Sequence, residues 1–277
     1  MFYSPKTLAE LLLLLQKRDS NLKIIAGGTD LLVRLQNQKN FDADFLDIMK
    51  IKELQKIEAS KQEFWIGAAV TMTDLCHSSL VKDKLTALYL AAYHLGSEQI
   101  RNRATLGGAI ANASQSSDPL DVLFAYQAEI EVMEADGTRK CMPIRDFITG
   151  KEKNCLLPGE IVSRIRIPQK NRRSVFGKVG ARRAVTIAKI NCTIDYEAYR
   201  GRMEQVSVYL GAVGAKPVEA HEIEALLEGK KPGEVLLPEL QKTGRREIEN
   251  AIPTRPSRFY KRVAIEGLLE DLMEVLE

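Results

Sequence analysis

Residues 101–118 combine a glycine pair with closely spaced hydroxyl and amide side chains. Gly107 and Gly108 stand next to each other, and glycine allows backbone angles that other residues avoid and close approach by another group. Asp118-Pro119 closes the stretch and predicts a helix start, with Asp118 as the N-cap. The hydrogen-bonding side chains around the pair are those of Thr105, Asn112, Ser114, Ser116 and Ser117.

Exposed backbone N–H groups and hydroxyls beside a helix N-terminus form an arrangement that binds phosphate. We therefore interpret residues 101–118 as a ligand-binding loop rather than an ordinary surface helix, because the stretch is poor in strong helix formers. A flexible linker is the alternative, but the segments on either side are apolar and periodic.

A second glycine pair, Gly27-Gly28, occurs earlier in the chain. It follows a short apolar run at residues 24–26 and precedes Thr29-Asp30 and another apolar segment. This order predicts a strand, a turn and a short helix, with the next strand at residues 45–48. The turn would then lie at the C-terminal end of a strand in a β-α-β unit, where ligands tend to bind.

The composition argues against several classes of function. The chain has 277 residues, 45% of them hydrophobic, and a net charge of +3, which gives no nucleic-acid footprint. The longest apolar run, residues 11–15, is too short to span a bilayer. The first residues show no basic region followed by an apolar one, so we expect no secretion signal and a cytoplasmic location.

Metal chemistry within the chain is not indicated by its cysteines and histidines. Cys76, Cys141, Cys155 and Cys192 form no Cys-x-x-Cys pair and show no metal-ligand spacing with the histidines. We expect no metal centre or iron–sulfur cluster in this chain, and we expect its cysteines to be buried as small apolar residues.

The hydrophobic pattern predicts a domain boundary near residues 168–174. Before it, helices are expected at 7–17, 29–36, 82–95 and 119–126, and strands at 24–25, 45–48, 64–68, 129–134, 139–142 and 160–167. After it, strands are expected at 176–179, 188–199 and 203–214, and helices at 218–227, 233–241 and from 257 onward. Strands followed by helices predict an α+β domain with the helices on one sheet face. In the last helix we expect a buried face formed by Phe259, Val263, Leu268 and Leu272.

The two glycine stretches together resemble the flavin-binding signature of the flavoprotein subunits of molybdenum hydroxylases. This family includes the medium subunits of xanthine, carbon monoxide and nicotinate dehydrogenases. Residues 26–31 (Ala-Gly-Gly-Thr-Asp-Leu) are similar to the first block of the signature, and residues 100–118 are similar to the second. The second block departs from the family pattern at Ala109, where Asn is usual, and at Gln115, where Pro is common.

The resemblance extends along the whole chain, because residues 156–161, 178–183, 211–213 and 258–262 are similar to further family segments. The fold that it implies is α+β. A two-subdomain FAD-binding domain of the vanillyl-alcohol-oxidase (PCMH) type is expected at residues 1–170, with subdomains at about 1–55 and 56–170. An α+β C-terminal domain with a three-stranded sheet and helices is expected at residues 171–277.

The resemblance also implies which residues contact FAD. The first glycine stretch would wrap the pyrophosphate and ribitol, the second would form another wall, and Ile187 would lie over the isoalloxazine ring. Because Ala109 lacks the usual amide, we expect FAD binding weaker by ~1 kcal/mol if that side chain touches the cofactor. The implied residues are Ile24, Ile25, Ala26, Gly27, Gly28, Thr29, Asp30, Leu31, Leu95, Thr105, Leu106, Gly107, Gly108, Ala109, Ser114, Asp118, Leu157, Lys178 and Ile187.

By the same resemblance, the chain is the FAD-carrying subunit of an oxidoreductase and needs no catalytic residues of its own. A molybdopterin-containing large subunit would hydroxylate the substrate, with a purine such as xanthine favoured. A small subunit with [2Fe–2S] clusters would relay electrons to FAD, which would pass them to NAD⁺ or another acceptor. The chain has no Gly-x-Gly-x-x-Gly motif, so NAD⁺ would have to bind over the flavin.

Two other functions fit the same residues. One is a free-standing FAD oxidoreductase of the same fold, which would need its own proton donor near the flavin. The other is a scaffold subunit with a decayed flavin site, which is favoured by Ala109. Flavin content of the purified chain and activity without partner subunits discriminate between these hypotheses.

Overall fold

The chain divides into two units that are each assembled from distant segments. The structure, a computed structural model, describes residues 1–17, 21–36 and 43–276. The first unit contains Met1–Asp74, Ser97–Ala113 and Gln127–Pro168, and the second contains Leu75–Gly96, Ser114–Tyr126 and Gln169–Glu277. The chain therefore alternates between the units before it enters the long C-terminal segment of the second.

The helices of the described residues are short in the first half of the chain and longer near its C-terminus. They are α1 (Leu8–Leu15), α2 (Leu31–Gln36), α3 (Met72–His77), α4 (Ser79–Lys84), α5 (Thr86–His94), α6 (Glu98–Arg101), α7 (Leu106–Asn112), α8 (Asp118–Ala125), α9 (Ile144–Phe147), α10 (His221–Leu227), α11 (Leu237–Ala251) and α12 (Arg258–Leu276). Short 3-10 helices occur at Lys52–Gln55 and Pro232–Glu234.

The strands form separate sheets in the two units. They are β1 (Phe2–Tyr3), β2 (Leu22–Ile25), β3 (Asp44–Asp47), β4 (Ile57–Ala59), β5 (Glu63–Gly67), β6 (Glu129–Met133), β7 (Arg139–Pro143), β8 (Ile148–Gly150), β9 (Lys153–Asn154), β10 (Ile161–Pro168), β11 (Arg172–Gly180), β12 (Ala188–Tyr199), β13 (Arg202–Gly211) and β14 (Val218–Glu219).

A small parallel sheet of the first unit carries the earlier glycine turn. Among the described strands its order is β1-β3-β2, and α2 connects the parallel neighbours β2 and β3. The helix α1, capped by the Thr7 hydroxyl, buries Leu11 and Leu15 in one core with Leu46 and Ile48. The predicted β-α-β unit is therefore confirmed, and the glycine turn directly follows β2.

An antiparallel sheet of the first unit has the order β4-β5-β10-β6-β7 in the described part of the chain. The predicted hairpin between β6 and β7 is confirmed. Gly137 has a φ of +90°, which favours glycine, and the Asp136 carboxylate accepts a 2.8 Å hydrogen bond from the Thr138 N–H. The hairpin is thus set by local turn chemistry.

A charged network on this sheet is centred on Glu131. Arg164 donates to its carboxylate from Nε at 3.0 Å and from Nη2 at 2.7 Å, and the Ser163 hydroxyl donates at 2.6 Å. The Arg164 guanidinium also lies 4.2 Å from the ring centroid of Trp65. Burial opposes ionisation of Glu131, but the bonds from Arg164 and Ser163 and the charges of Arg164 and Arg139 prevail and lower its pKa.

The second unit contains an antiparallel sheet with the order β11-β12-β13-β14 among the described strands. The three strands predicted here are present, but the prediction of a three-stranded sheet missed β14. That strand has two residues, which is too short for a period-two pattern, and it was assigned to the helix predicted at 218–227. This helix begins instead at His221.

Helices cover both faces of this sheet, so the prediction of helices on one face was wrong. Along β12, Cys192 and Ile194 enter a core shared with Leu269 of α12. The alternate residues Asn191 and Thr193 face α8 and bond to it. The reason is topological, because α8 precedes the predicted domain boundary yet packs within the second unit.

Two further helices differ clearly from those predicted. The helix expected at 82–95 is two helices, α4 and α5, separated at Leu85, which is fully buried with φ −130° and ψ 52°. The hydrophobic periodicity of residues 82–95 would also suit one continuous helix. The burial of Leu85 in the tertiary structure interrupts it. The helix expected at 233–241 runs from Leu237 to Ala251. It begins late because Pro238 is tolerated in a first turn but not in a helix interior.

The buried face of α12 also differs from the predicted one. Leu268 and Leu272 are buried as expected, but Phe259 and Val263 are 58% and 62% exposed. The face continues toward the N-terminus through Lys261, which is buried and donates to the Ala212 carbonyl. Lys261, which bonds to a backbone carbonyl, is thus part of the buried face. The hydrophobic pattern alone predicted Phe259 and Val263 there instead.

The cysteines are less buried than expected. All four are free thiols in the described part of the chain, with Cys192 buried, Cys76 and Cys155 half-buried and Cys141 exposed. Cys141 lies on β7, the outer strand of its sheet. Among the described helices, none is long and apolar enough to cross a membrane.

Replacing Glu131 by glutamine should make the stability of the first unit less dependent on pH. Because its pKa is lowered in the folded state, the charged form adds stability above the ordinary value of 4.5 and loses it as the pH falls. We expect Glu131→Gln to cost about 2 kcal/mol of unfolding free energy at neutral pH, with the cost shrinking in acid. Denaturant unfolding at several pH values measures this.

The matched control is Glu58→Gln on β4 of the same sheet, where the carboxylate is exposed. Its stability should stay within about 0.5 kcal/mol of the parent. A cost for Glu131→Gln that is the same at every pH would contradict the assigned role of its charge.

Candidate functional site

The Gly27-Gly28 turn follows β2 and packs directly on the backbone of the second glycine-containing stretch. A Cβ atom on Gly27 would lie 1.8 Å from the Arg103 carbonyl oxygen and 3.0 Å from the Ala104 nitrogen. Gly28 has a φ of +73°, a backbone conformation that residues other than glycine rarely adopt. The first unit therefore brings the two segments of the sequence signature into contact.

This turn offers backbone donors that have no partner among the described residues. No hydrogen bond formed within the described residues involves the N–H groups of Gly27, Gly28 or Thr29. The neighbouring carboxylate of Asp30 is engaged by Arg34. Unused N–H groups on a backbone without side-chain bulk fit a diphosphate, because they donate to anionic oxygens and allow close approach.

The second glycine pair lies in a helix, so the predicted loop conformation at Gly107 and Gly108 was wrong. Leu106–Asn112 is the helix α7, and the Thr105 hydroxyl caps it by accepting a 3.0 Å bond from the Gly108 N–H. A Cβ on Gly107 would lie 2.5 Å from the Ala68 Cβ. An N-cap and close packing thus stabilise a helix in a segment of weak helix formers.

The N-terminal N–H groups of α7 are already satisfied within the first unit. Leu106 donates to the Val70 carbonyl at 3.0 Å, Gly107 donates to the Ala68 carbonyl at 3.0 Å, and Ala109 donates to the Thr105 carbonyl at 3.0 Å. The predicted exposed donors are therefore absent from residues 106–109 of the described chain. The accessible surface of α7 consists of the exposed Gly108 and the half-buried Ala109, Ala111 and Asn112.

Leu157 follows a segment that is tied to the end of α7. The Asn154 amide donates to the Ala111 carbonyl at 2.6 Å and accepts from the Leu156 N–H at 2.9 Å. Leu157 itself is 63% exposed, and its N–H donates to Glu160 at 2.8 Å. An exposed leucine held on a short ordered segment is available to contact a ligand.

The second unit contains the remaining predicted residues, grouped around a buried ion pair. The Lys178 ammonium lies 2.5 Å from Asp118 Oδ2, and the Asn191 amide donates to Asp118 Oδ1 at 2.9 Å. Asp118 is the first residue of α8 rather than its N-cap, which is Ser117. The prediction of an Asp118 N-cap was wrong because the carboxylate faces the sheet instead of the helix N–H groups.

Burial dominates the electrostatics beside this pair. It raises the pKa of Asp118, although the Lys178 charge and the bonds from Lys178 and Asn191 act in the opposite direction. Burial also raises the pKa of Asp121 well above its ordinary value, with a 2.7 Å bond from the Thr193 hydroxyl opposing it. The interior of this unit therefore holds acidic groups that bond to specific side chains, although Asp121 Oδ1 has no partner among the described residues.

Asn191 was missed by the sequence analysis. It is fully buried, and its Oδ1 atom has no hydrogen-bond partner among the described residues. A Cβ on Gly211 would lie 1.8 Å from that oxygen, so glycine is required opposite it. The sequence contains a pattern that could have identified it, because Asn191 and Thr193 alternate with apolar residues within a long predicted strand.

The other predicted residues of the second unit are more accessible. Leu95 follows α5 and is half-buried, as is Ser114, whereas Ile187 is 78% exposed. Ile187 lies in the connection between β11 and β12.

The predicted residues thus divide between the units. Ile24 to Leu31, Thr105 to Ala109 and Leu157 lie in the first, and Leu95, Ser114, Asp118, Lys178 and Ile187 lie in the second.

One side-chain cluster of the described residues has metal-ligating atoms within 4.8 Å of one another, namely Glu219, His221 and Glu224. Hydrogen bonds account for its geometry. The His221 Nδ1 atom lies 3.1 Å from Glu224, which also accepts from the Val208 N–H at 2.9 Å. The hydrogen bond with Glu224 and the nearby acidic groups raise the pKa of His221.

Comparisons with known proteins identify related domains along most of the chain. The profile described as the FAD binding domain in molybdopterin dehydrogenase matches residues 1–170. The profile described as the CO dehydrogenase flavoprotein C-terminal domain matches residues 176–275.

Curated relatives match over nearly the whole chain. The nicotinate dehydrogenase FAD-subunit of Eubacterium barkeri is 31% identical over 100% of this chain and 97% of its own length. The glyceraldehyde dehydrogenase medium chain of Sulfolobus acidocaldarius is 29% identical over 95% of this chain and 93% of its own. The xanthine dehydrogenase FAD-binding subunit of Escherichia coli O157:H7 is 30% identical over 80% of this chain and 77% of its own.

Solved structures share the fold. A chain of carbon monoxide dehydrogenase from Hydrogenophaga pseudoflava superposes with a TM-score of 0.86 at 24% identity, covering 99% of this chain and 96% of that one. A chain of quinoline 2-oxidoreductase from Pseudomonas putida 86 gives a TM-score of 0.85 at 23% identity, covering 99% and 95%. The mixed α+β fold expected from the resemblance is confirmed, and the chain belongs to the FAD-binding flavoprotein subunits of the molybdenum hydroxylase family.

Proposed function

We propose that this chain holds FAD with its diphosphate at the Gly27-Gly28 turn and serves as an electron-transfer subunit. The observation that carries the proposal is the turn itself. Its N–H groups at Gly27, Gly28 and Thr29 are unused within the described residues, and its backbone is pinned to Arg103. A rigid row of donors suits an anionic ligand because little ordering is needed on binding.

The proposed contacts differ in kind along the chain. Residues 24–31 supply backbone donors and apolar contact, and residues 105–109 supply a side-chain-poor surface on α7. Leu95, Leu157 and Ile187 are apolar and at least partly accessible, which suits contact with flavin or adenine rings. Ser114 offers a hydroxyl, whereas Asp118 and Lys178 bond to each other inside the second unit.

When it is bound, FAD supplies the redox chemistry, since it takes up and releases electrons singly or in pairs. The residues of this chain bind and orient the cofactor and exclude water from it. We assign no catalytic acid or base to the chain, consistent with a subunit that transfers electrons rather than transforming an organic substrate.

We propose that the partners are a molybdopterin-containing large subunit and a small subunit with [2Fe–2S] clusters. Electrons would pass from these clusters to this chain and then to NAD⁺ or another acceptor. The curated relatives carry names such as medium chain and FAD-subunit, which supports a place in a multisubunit enzyme. Free thiols on all four described cysteines are consistent with the proposed cytoplasmic location.

We propose xanthine as the first candidate substrate for the whole complex and nicotinate as the second. Relatives named for xanthine and nicotinate are 30% and 31% identical to this chain. Their substrates differ while the FAD-binding subunits are similar, so we infer that the large subunit determines the substrate. Assaying the assembled complex with each compound discriminates between the two.

The experiment that tests the cofactor is an absorbance spectrum of the full chain after incubation with FAD and removal of the excess. We expect flavin bands, and release of FAD rather than FMN on denaturation. A chain that stays colourless both alone and with its partner subunits would contradict the proposal and favour the scaffold hypothesis. Substrate oxidation by the chain alone would favour the free-standing oxidoreductase.

Replacing Gly27 by alanine should weaken FAD binding. The added Cβ would meet the Arg103 carbonyl oxygen at 1.8 Å, so the turn must move away from its support. We expect at least roughly tenfold weaker FAD binding and about 2 kcal/mol lower unfolding free energy. Flavin fluorescence titration and denaturant unfolding measure the two effects.

Two controls separate these effects. Gly267→Ala adds a Cβ where no described heavy atom lies within 4 Å, and should leave FAD binding unchanged. Glu131→Gln destabilises the same unit away from the turn, and should also retain FAD affinity. Equal affinity of Gly27→Ala and the parent chain would show that the turn is not the diphosphate site.

Replacing Ala109 by asparagine should tighten FAD binding. Ala109 is half-buried on α7 beside the exposed Gly108, and an amide there would add donors and acceptors at the proposed wall. We expect a gain of about fivefold in affinity, measured by the same titration. Ala111→Asn introduces the same side chain on the same helix. An equal change in both variants would refute a specific role of position 109.

A further inference from the structure

Lys178 forms a buried connection between three separate segments of the second unit. Its ammonium donates to the His94 carbonyl at 2.9 Å, to the Thr186 carbonyl at 3.2 Å and to Asp118 at 2.5 Å. An ammonium has three N–H donors, so these acceptors use its full capacity. Lys178 therefore has no donor left over for a cofactor in this arrangement.

The two carbonyl partners precede residues that were assigned to the flavin site. His94 is followed by Leu95, and Thr186 is followed by Ile187. These residues come from the end of α5 and from the connection between β11 and β12. A single ammonium thus sets the backbone position of two apolar residues that are far apart in sequence.

The ammonium is itself held by groups that cannot move freely. Asp118 lies on α8, all of whose residues are buried, and its second oxygen accepts from the buried Asn191 amide. Asn191 in turn packs against the backbone of Gly211, where a Cβ would lie 1.8 Å from Oδ1. The position of Lys178 is therefore fixed from the helix and from the sheet.

The connection that Lys178 restrains is under local strain. Val185 has a φ of +50°, which is a genuine outlier for a β-branched residue. Its carbonyl accepts from Arg182 Nε at 2.7 Å, and the Thr186 hydroxyl accepts from the Ala181 N–H at 3.0 Å. A strained conformation persists when surrounding contacts over-determine it, and the Lys178 bond to Thr186 is one such contact.

We infer that Lys178 is a positioning residue for FAD rather than a direct cofactor contact, holding Leu95 and Ile187 in place while Asp118 and Asn191 hold its ammonium. The inference rests on the proposed function, because it assumes that Leu95 and Ile187 contact the flavin. It revises the roles of Asp118 and Lys178 and adds Asn191 to the site.

A buried ion pair that only stabilises the fold is the competing explanation. Removing Lys178 alone would leave Asp118 buried without its partner, and the chain would be strongly destabilised under either explanation. The informative variant is the double substitution Lys178→Met/Asp118→Asn. It removes both charges and leaves an amide at position 118 for Asn191, but it cannot restore the bonds to the His94 and Thr186 carbonyls.

The matched control is Arg172→Met/Asp195→Asn. Arg172 and Asp195 also form a buried ion pair between β11 and β12 of the same unit. Arg172 donates to Asp195, and its guanidinium lies 4.3 Å from the ring centroid of Tyr126. The control therefore removes a buried ion pair of the same two charges, with its cation on the same strand β11 as Lys178.

The first measurement is amide hydrogen exchange of the full chain without FAD. The Leu95 N–H bonds to the Ala92 carbonyl and the Ala181 N–H bonds to the Thr186 hydroxyl, so both amides report on the restrained segments. We expect their exchange to rise about tenfold or more in Lys178→Met/Asp118→Asn relative to the control. Amides at the centre of β12 should exchange alike in both double variants.

The second measurement is FAD affinity and the flavin absorbance spectrum of each protein. We expect about tenfold weaker binding and a shifted flavin band for Lys178→Met/Asp118→Asn, with the control close to the parent chain. Unchanged exchange at Leu95 and Ala181 would overturn the inference whether or not FAD binds. Raised exchange with parental FAD affinity would overturn it as well. A parent chain that rejects FAD would instead refute the proposed function.

Discussion

The structure depends on close contact between the Gly27 backbone and the Arg103 carbonyl. There is no room for a side chain at Gly27, since its Cβ would lie 1.8 Å from the carbonyl oxygen of Arg103. The contact joins a turn after β2 to the segment that leads into α7, and the N–H groups of the turn form no hydrogen bond with the described residues. A glycine pair that looks flexible in the sequence is therefore a rigid element, and rigidity is what a backbone binding site requires.

The second unit orders its own segments through buried polar groups instead of close backbone packing. Isolated buried charges are costly, and Asp118 is here held by Lys178 and Asn191. Burial raises the pKa of Asp121, which accepts from Thr193 at one oxygen while the other has no partner among the described residues. Asn191 and Thr193 lie on the side of β12 that faces α8. The apolar residues on the other side of the strand pack on α12. The same strand thus builds a hydrophobic core and a polar interior that orders the adjacent segments.

Much of the fold was predictable from local patterns, because the hairpin at Asp136-Gly137 and the β-α-β unit around Gly27 rely on neighbouring residues. The misses share a cause in long-range packing. Residues 106–112 are helical since Thr105 caps them and Gly107 fits against Ala68, and Phe259 is exposed while Lys261 is buried. In the site, glycine spacing pointed to the turn, but nothing local to Lys178 could show that its partners are the His94 and Thr186 carbonyls.

The most direct test of the central claim is the response of individual backbone amides to FAD. The full chain, labelled with nitrogen-15, would be titrated with FAD while the amide resonances of Gly27, Gly28 and Thr29 are followed. The account predicts large downfield shifts at these three amides, because their free N–H groups would donate to phosphate oxygens, and small shifts at Leu106, Gly107 and Ala109, whose N–H groups are already bonded. Saturable FAD binding that leaves the resonances of Gly27, Gly28 and Thr29 in place would contradict it.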